Sequence, residues 1–475
     1  MNYFVTIGIE IHCELKTNTK MFSGAPVRFG EIANTCTSVV DLGHPGCLPC
    51  VNKEAVALAI KACTAMHCDL ETLVRFDRKN YYYSDLPKGF QITQQFHPIG
   101  TNGYVEIDVD GEKKQIRIER IHMEEDTAKQ FHKDTGTYID FNRAGTPLIE
   151  IVSEPDMRSA DEVIAYLEKL RLIIQYLGAS DCKLQEGSMR ADVNLSVREV
   201  GAEEFGTRTE MKNLNSFKAI KRAIEGEMER QIDLIEAGEK VVQETRRWDD
   251  TKGASYAMRS KEDAQDYRYF PDPDLVPIEI SDEWMDKVRD AQPEFRDEKK
   301  VRYKEEYDLP DYDIDIITGS KHLADIFEAT IALGSEPKEV SNWLMGETIR
   351  LVNESEMDID DVSFKPEHLA KLIEMIKNNE INRSVGKEVF EKVFKEDIDP
   401  AAYVEEHGLK SMNDEGALKA TIEEIVANNP KSVEDYKAGK KKAIGFLVGQ
   451  TMKATQGKAN PGIVNKILTE ILDNM

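Results

Sequence analysis

Gly8-Ile9-Glu10-Ile11-His12 and Pro147-Leu148-Ile149-Glu150-Ile151 each set acidic or imidazole side chains among β-branched neighbours. In an extended strand side chains alternate faces, so Glu10 and His12 point one way while Ile9 and Ile11 point the other. Residues two apart lie roughly 6.5–7 Å apart along a strand, near enough to share one hydrated divalent ion through a carboxylate and an imidazole. A third acidic cluster, Glu124-Glu125-Asp126, closes the β-rich run Gln115–Met123. Three carboxylate-bearing strand ends suggest an oxygen-rich metal site. Each segment taken alone also fits the solvated face of a half-exposed sheet.

Working outward, 475 residues exceed one typical domain and point to roughly two to four. Charged residues make up 32% and hydrophobic ones 40%, the balance of a globular rather than a disordered chain. No apolar run approaches the length of a membrane span, and Met1-Asn2-Tyr3-Phe4-Val5 lacks the basic and apolar regions of a signal peptide. Seven cysteines without a disulfide rhythm read as a reduced, cytoplasmic protein. The net charge of −26 argues against indiscriminate nucleic-acid binding, and DNA is not expected as a partner. Its distribution is uneven. From Lys431 to Met475 there are eight lysines, no arginine and four acidic residues, a net +4 that leaves −30 on the preceding 430 residues. A basic end on an acidic body can dock a polyanion locally, although a lysine-rich helix face is often only solvated.

Alternating segments recur at Tyr3–Leu15, Tyr104–Val109, Gln115–Met123, Thr137–Phe141 and Arg190–Arg198, flanked by turn signals such as Asn102-Gly103 and Asp110-Gly111. Two long amphipathic helices interrupt them. One opens on the capping box Ser159-Ala160-Asp161-Glu162 and runs to Gly178; the other follows Ser216 and runs to Gly238. Strands not strictly alternated with helices favour an α+β fold over a doubly wound sheet. After Pro293 strand signals fade and helical periodicity takes over, broken at Asp308-Leu309-Pro310 and Asp399-Pro400. This predicts a mixed β/α domain over 1–293, a helical domain over 294–410 and a small helical tail over 411–475.

Three further stretches are candidates for chemistry. The stretch Asp77-Arg78-Lys79-Asn80-Tyr81-Tyr82-Tyr83-Ser84-Asp85-Leu86-Pro87-Lys88-Gly89 joins cations, aromatics and turn residues, as a phosphate or base contact would, and as a surface loop also can. On Arg190-Ala191-Asp192-Val193-Asn194-Leu195-Ser196-Val197-Arg198 the polar residues share one face. Thr209-Glu210-Met211-Lys212-Asn213-Leu214-Asn215-Ser216 leads into a helix N-terminus, whose N–H groups suit phosphate. Capping explains Asn215 or Ser216 but not Lys212. There is no G-x-x-x-x-G-K-[ST] loop and no G-x-G-x-x-G fingerprint, so any ATP site must be built differently. The single C-x-x-C, Cys47-Leu48-Pro49-Cys50, has no second pair to complete a zinc site.

Taken together, several segments closely resemble the B subunit of the bacterial aspartyl/glutamyl-tRNA amidotransferases. They are Gly8–His12, Phe76–Tyr81, His122–Asp126, Gly145–Asp156, Glu186–Arg190, Lys212–Phe217, Tyr267–Pro271, Ser341–Gly346 and Gly445–Gln450, spread over essentially the whole chain. The resemblance implies a cradle-like catalytic domain, a helical domain and a tRNA-binding tail, working beside an amidase, the A subunit, with a small C subunit. It implies that ATP and Mg²⁺ are used to phosphorylate the side-chain carboxylate of glutamate or aspartate mischarged on tRNA. Ammonia released from glutamine then replaces phosphate, giving glutaminyl- or asparaginyl-tRNA.

On that resemblance Glu10, His12, Glu125 and Glu150 are the expected Mg²⁺ ligands, with Glu124 and Asp192 as secondary candidates because adjacent carboxylates leave the assignment ambiguous. Lys79, Arg190 and Lys212 are the expected phosphate-side cations, and Tyr81, Asn213, Asn215 and Ser216 complete the nucleotide contacts. A cysteine pair that many such subunits carry before the Pro-Gly turn corresponds here to Ser38 and Asp41, so zinc is not expected. In the tail, Gly445-Phe446-Leu447-Val448-Gly449-Gln450 reads as helix-packing core whose glycines permit close approach. Lys437, Lys440, Lys441, Lys442 and Lys453 read as tRNA phosphate contacts. Two rival readings make separable predictions. A metal-dependent phosphoesterase would hydrolyse its substrate without glutamine or a partner, and a non-enzymatic tRNA scaffold would tolerate loss of Glu10 and Glu150.

Overall fold

The structure, a computed structural model, describes residues 2–260, 267–411, 415–438, 440, 442–455 and 459–475. The chain divides into two compact units, Met1–Phe295 and Arg296–Met475.

In the first unit the strand Tyr3–Glu14 lies near the middle of a nine-stranded sheet. On one side follow Pro147–Ser153, Glu112–Glu125, Gly100–Val109 and Asp69–Leu70; on the other, Met189–Glu199, Thr209–Lys212, Glu244–Asp249 and Ala254–Ser260. Neighbours are antiparallel except for the Thr209–Lys212 and Glu244–Asp249 pair, which is parallel. The alternation expected at the first strand sorts its side chains. Ile7, Ile9 and Ile11 are fully buried in the core, while Glu10 and His12 are half-buried on the other face. Each buried isoleucine contributes about 1.5–3 kcal/mol relative to exposure.

Helices cover the apolar face. Ala160–Tyr176 inserts Val163, Tyr166, Leu167, Leu170 and Ile174, and Phe217–Glu236 inserts Ile220, Ala223 and Ile224. The Ser159 hydroxyl caps the first by accepting from Glu162 N at 3.2 Å. The Glu162 carboxylate reaches back to Arg158 N at 2.7 Å, one residue earlier than a standard capping box would place it. Ser216 caps the second helix from Ala219 N at 3.1 Å. With helices on one face only, the fold is α+β and the polar face is left open as a cleft.

Two features were not predicted. The register of Glu112–Glu125 against Pro147–Ser153 slips at Val152/Ser153, where Arg120 and Ile118 become consecutive partners and Glu119 is skipped. This bulge reverses which residues face the cleft. The stretch around Lys79 is a strand, Asp77–Asn80, held between Phe90–Thr93 and Phe270–Pro271.

Among its described residues the second unit contains helices only. Pro310 begins the turn into Asp311–Thr318, and Asp399 caps Pro400–Glu406 from Ala401 N at 2.8 Å, where breaks were expected. Two separate apolar clusters form, one from Tyr303 to Val404 around Trp343, Phe327 and Phe390, the other from Leu418 to Leu472. The tail expectation needs correcting. In Ala443–Ala454 only Leu447 and Thr451 are buried, Phe446 is 51% exposed, and a Cβ at Gly445 or Gly449 would meet nothing within 4 Å. The two glycines are not close-packing points. Lys441 lies outside the described residues, and Lys440 pairs with Asp435 at 3.0 Å.

Candidate active site

Strand register assembles the site. His12 pairs with Glu150 on one side and Arg190 on the other, and Glu150 pairs in turn with His122, so four side chains form one row across the cleft face. The neighbouring row is Arg120, Val152, Glu10 and Asp192. Glu124, two residues beyond His122, joins the first row from the same face. His12 Nε2 lies 3.3 Å from Glu150 Oε2 and 3.5 Å from Glu124 Oε1. His122 Nε2 lies 3.2 Å from Glu150 Oε2 and 3.8 Å from Glu124 Oε2.

One ligand atom from each of His12, Glu124 and Glu150 falls within 4.8 Å of the others, the one such grouping among the described residues. Burial alone would neutralise Glu150, but His122 and His12 hold its carboxyl well below the usual range. Burial likewise opposes charge on His122, yet Glu150 and Glu124 lift its pKa to about 9. An imidazole with two carboxylates is a donor set suited to a divalent cation of the Mg²⁺ or Mn²⁺ kind.

The cleft above this row encloses about 690 Å³ and is lined, among others, by Glu10, Lys79, Asp192, Lys212, Tyr267 and Tyr269. Glu10 accepts from Asn194 Nδ2 at 2.9 Å, and burial, followed by the nearby Glu150 and Glu210 charges, raises its pKa. Lys79 stands over the Tyr267 ring at 4.7 Å; burial disfavours its charge, but Glu124, Tyr269, Glu150 and Tyr267 together more than restore it. Lys212 is gripped between Asp192 Oδ2 at 2.5 Å and Glu210 Oε1 at 2.9 Å.

Other expected residues do not line the cleft. Glu125 turns its carboxylate to the opposite side, to Lys88 Nζ and Ile92 N, the latter at 3.0 Å. It is therefore not placed with His12 and Glu150, and Glu124 takes that position because of the bulge. Arg190 donates to Asp126 Oδ2 at 3.1 Å. Tyr81 spends its hydroxyl on Gln91 Oε1 at 3.1 Å. Asn213 has φ 67° and donates to Trp248 O at 3.2 Å, Ser216 is the helix cap, and Asn215 is exposed. None of these last three lines the cleft, so that helix N-terminus is not part of it. His122 went unread in the sequence. Its signal was the change in apolar positions from Ile116 and Ile118 to Ile121 and Met123, which marks the bulge and turns Arg120, His122 and Glu124 together to the cleft.

An open sheet face with His12, Glu124 and Glu150 grouped in a polar cleft is the kind of surface on which catalytic domains are built. A profile described as the GatB/GatE catalytic domain matches residues 5–286, and one described as a GatB domain matches residues 325–472. The chain is 62% identical over 473 residues to the B subunit of the aspartyl/glutamyl-tRNA(Asn/Gln) amidotransferase of Agathobacter rectalis, covering 99% of this chain and 100% of that one. It is 60% identical to that of Lachnoclostridium phytofermentans over 99% of both chains, and 51% identical to that of Geobacillus thermodenitrificans over 99% of both. The chain belongs to the family of tRNA-dependent amidotransferase B subunits. It is thus one component of a multisubunit enzyme. Among the described residues, no helix is long and apolar enough to cross a membrane.

Proposed function

We propose that this chain carries out the ATP- and Mg²⁺-dependent phosphorylation of the side-chain carboxylate of glutamate or aspartate mischarged on tRNA(Gln) or tRNA(Asn), followed by amidation. The observation that supports this best is the convergence of His12, Glu124 and Glu150 within 4.8 Å on the floor of the cleft. A carboxylate resists ammonia because oxide is its leaving group. Transfer of the terminal phosphoryl group of ATP gives an acyl phosphate and ADP; ammonia then attacks the acyl carbon and phosphate departs, leaving the amide and a proton. The difficulty is the crowding of anionic oxygens. Mg²⁺ held by His12, Glu124 and Glu150 would offset that charge. Lys79, charged and in the cleft, adds a fixed cation, and Glu10 beside Asn194 lines the same floor. Ammonia would come from glutamine through the amidase, the A subunit, with the small C subunit making up the rest of a cytoplasmic assembly.

The test uses the reconstituted complex with both Glu-tRNA(Gln) and Asp-tRNA(Asn), which also reports the physiological substrate. Glu150→Gln is expected to abolish ATP-dependent phosphorylation of the charged tRNA while basal glutamine hydrolysis survives. Wild-type transamidation by the Glu150→Gln complex would overturn the reading.

A further inference from the structure

We propose that Arg120 is the residue that binds the phosphate chain of the nucleotide, an assignment that rests on the ATP-dependent reading above. The cleft is lined by Glu10, Glu124, Glu150, Asp192 and Glu210, a surface that repels a polyphosphate unless cations answer it. The cations that the sequence singles out are largely committed within the protein. Lys212 is paired with Asp192 and Glu210 and Arg190 with Asp126, which leaves Lys79, over the Tyr267 ring, as the one of the three not held in an ion pair among the described residues. Arg120 differs. It is half-buried, lines the cleft, and its Nε is buried without a hydrogen-bond partner among the described residues. No carboxylate among those residues forms an ion pair with it. A desolvated guanidinium N–H left unpaired is costly, and such a group calls for a partner that arrives from outside.

Its position suits phosphate. Arg120 is opposite Val152, in the row beside Glu10, and two residues from His122 on the same strand face. That spacing is roughly 6.5–7 Å along the strand from the His12, Glu150 and His122 row, a separation a short polyphosphate spans. A guanidinium offers a rigid fork of N–H donors that matches phosphate oxygens in pairs, which an ammonium does not. A chain whose terminal phosphoryl group lies at the metal-ready row would pass its inner phosphates by Arg120. The other unpaired arginine lining the cleft, Arg208, is exposed at its margin.

The experiment measures ADP binding with Mg²⁺, and the KM for ATP, in the complete complex bearing Arg120→Gln or Arg120→Lys. Arg120→Gln is expected to weaken ADP about 10- to 100-fold, the loss of one charge-assisted contact, and to raise the KM for ATP in step. Arg120→Lys should recover part of this, and it carries the test if the glutamine variant does not fold. Basal glutamine hydrolysis and the affinity for charged tRNA, with its salt slope, should stay at wild-type values. ADP affinity within twofold of wild type in both variants would overturn the assignment. So would a fall in tRNA affinity and salt slope with ADP binding intact, which would give Arg120 to the RNA backbone. A wild-type complex that binds no ADP would overturn the ATP-dependent reading itself, an outcome distinct from failure at Arg120.

Discussion

Glu124 and Glu125 are adjacent in one strand and so face opposite sides, and the bulge after Ile118 decides that Glu124 is the one in the cleft. Glu124→Gln is expected to weaken Mn²⁺ binding by at least about tenfold in titration calorimetry, since it removes one of the three proposed donors. Glu125→Gln should leave Mn²⁺ binding intact and instead cost about 1–3 kcal/mol in stability, because it strips Lys88 of its buried counter-charge. The reverse outcome would restore Glu125 to the cation site. His122 supplies a second separable effect. Its folded pKa of about 9 exceeds the ordinary 6.5, so its contribution to the metal-free protein is complete below about pH 6.5 and is lost as pH rises through about 9. With chelator present, the stability gap between wild type and His122→Asn in urea unfolding should therefore shrink over that window. At this scale the sequence disclosed Glu10, His12 and Glu150, because each sits in a strand of regular alternation. It left Glu124 second to Glu125 and passed over His122 and Arg120 because all four lie beyond a bulge, where counting by twos from the strand's start gives the wrong face.

Elements were legible in proportion to how local their signal is. The helices Ala160–Tyr176 and Phe217–Glu236 begin at Ser159 and Ser216 and end just before the expected glycines, which take φ 67° at Gly178 and 75° at Gly238. Ser159→Ala should accordingly cost about 1 kcal/mol, seen as a lowered melting temperature with Mn²⁺ binding unchanged. The strand Asp77–Asn80 could not be read locally, because its partner Phe270–Pro271 comes almost two hundred residues later and imposes an extended conformation on a stretch composed like a loop. That pairing brings Tyr267 to Lys79. The approach of the 200–208 connection to its strand was equally invisible. A Cβ on Gly206 would sit 2.0 Å from Val197 O, so backbone must move to admit one. Gly206→Ala is expected to destabilise the first unit by about 1–3 kcal/mol. An unchanged unfolding midpoint would show that the connection yields without cost.

Across the whole molecule the charge is divided: the last 45 residues carry +4 and the rest −30. An acidic chain that must handle tRNA gains from confining attraction to a few places, since loose phosphate contacts anywhere would hold it on every RNA in the cell. The tail has its own apolar cluster, from Leu418 to Leu472, so its lysines are displayed by a packed framework. Lys437, Lys442 and Lys453 lie on or beside the helices Pro430–Lys437 and Ala443–Ala454, and Phe446 stands exposed on the second of these. Replacing these three lysines with glutamine in the full complex should raise the KM for charged tRNA. It should also reduce the slope of log affinity against log salt by up to about 0.9 for each phosphate no longer neutralised. Divalent binding at His12, Glu124 and Glu150 and basal glutamine hydrolysis should not change, because neither depends on tail charge. An unchanged salt slope would mean that these lysines are a solvated face and that tRNA is held from the cleft side alone.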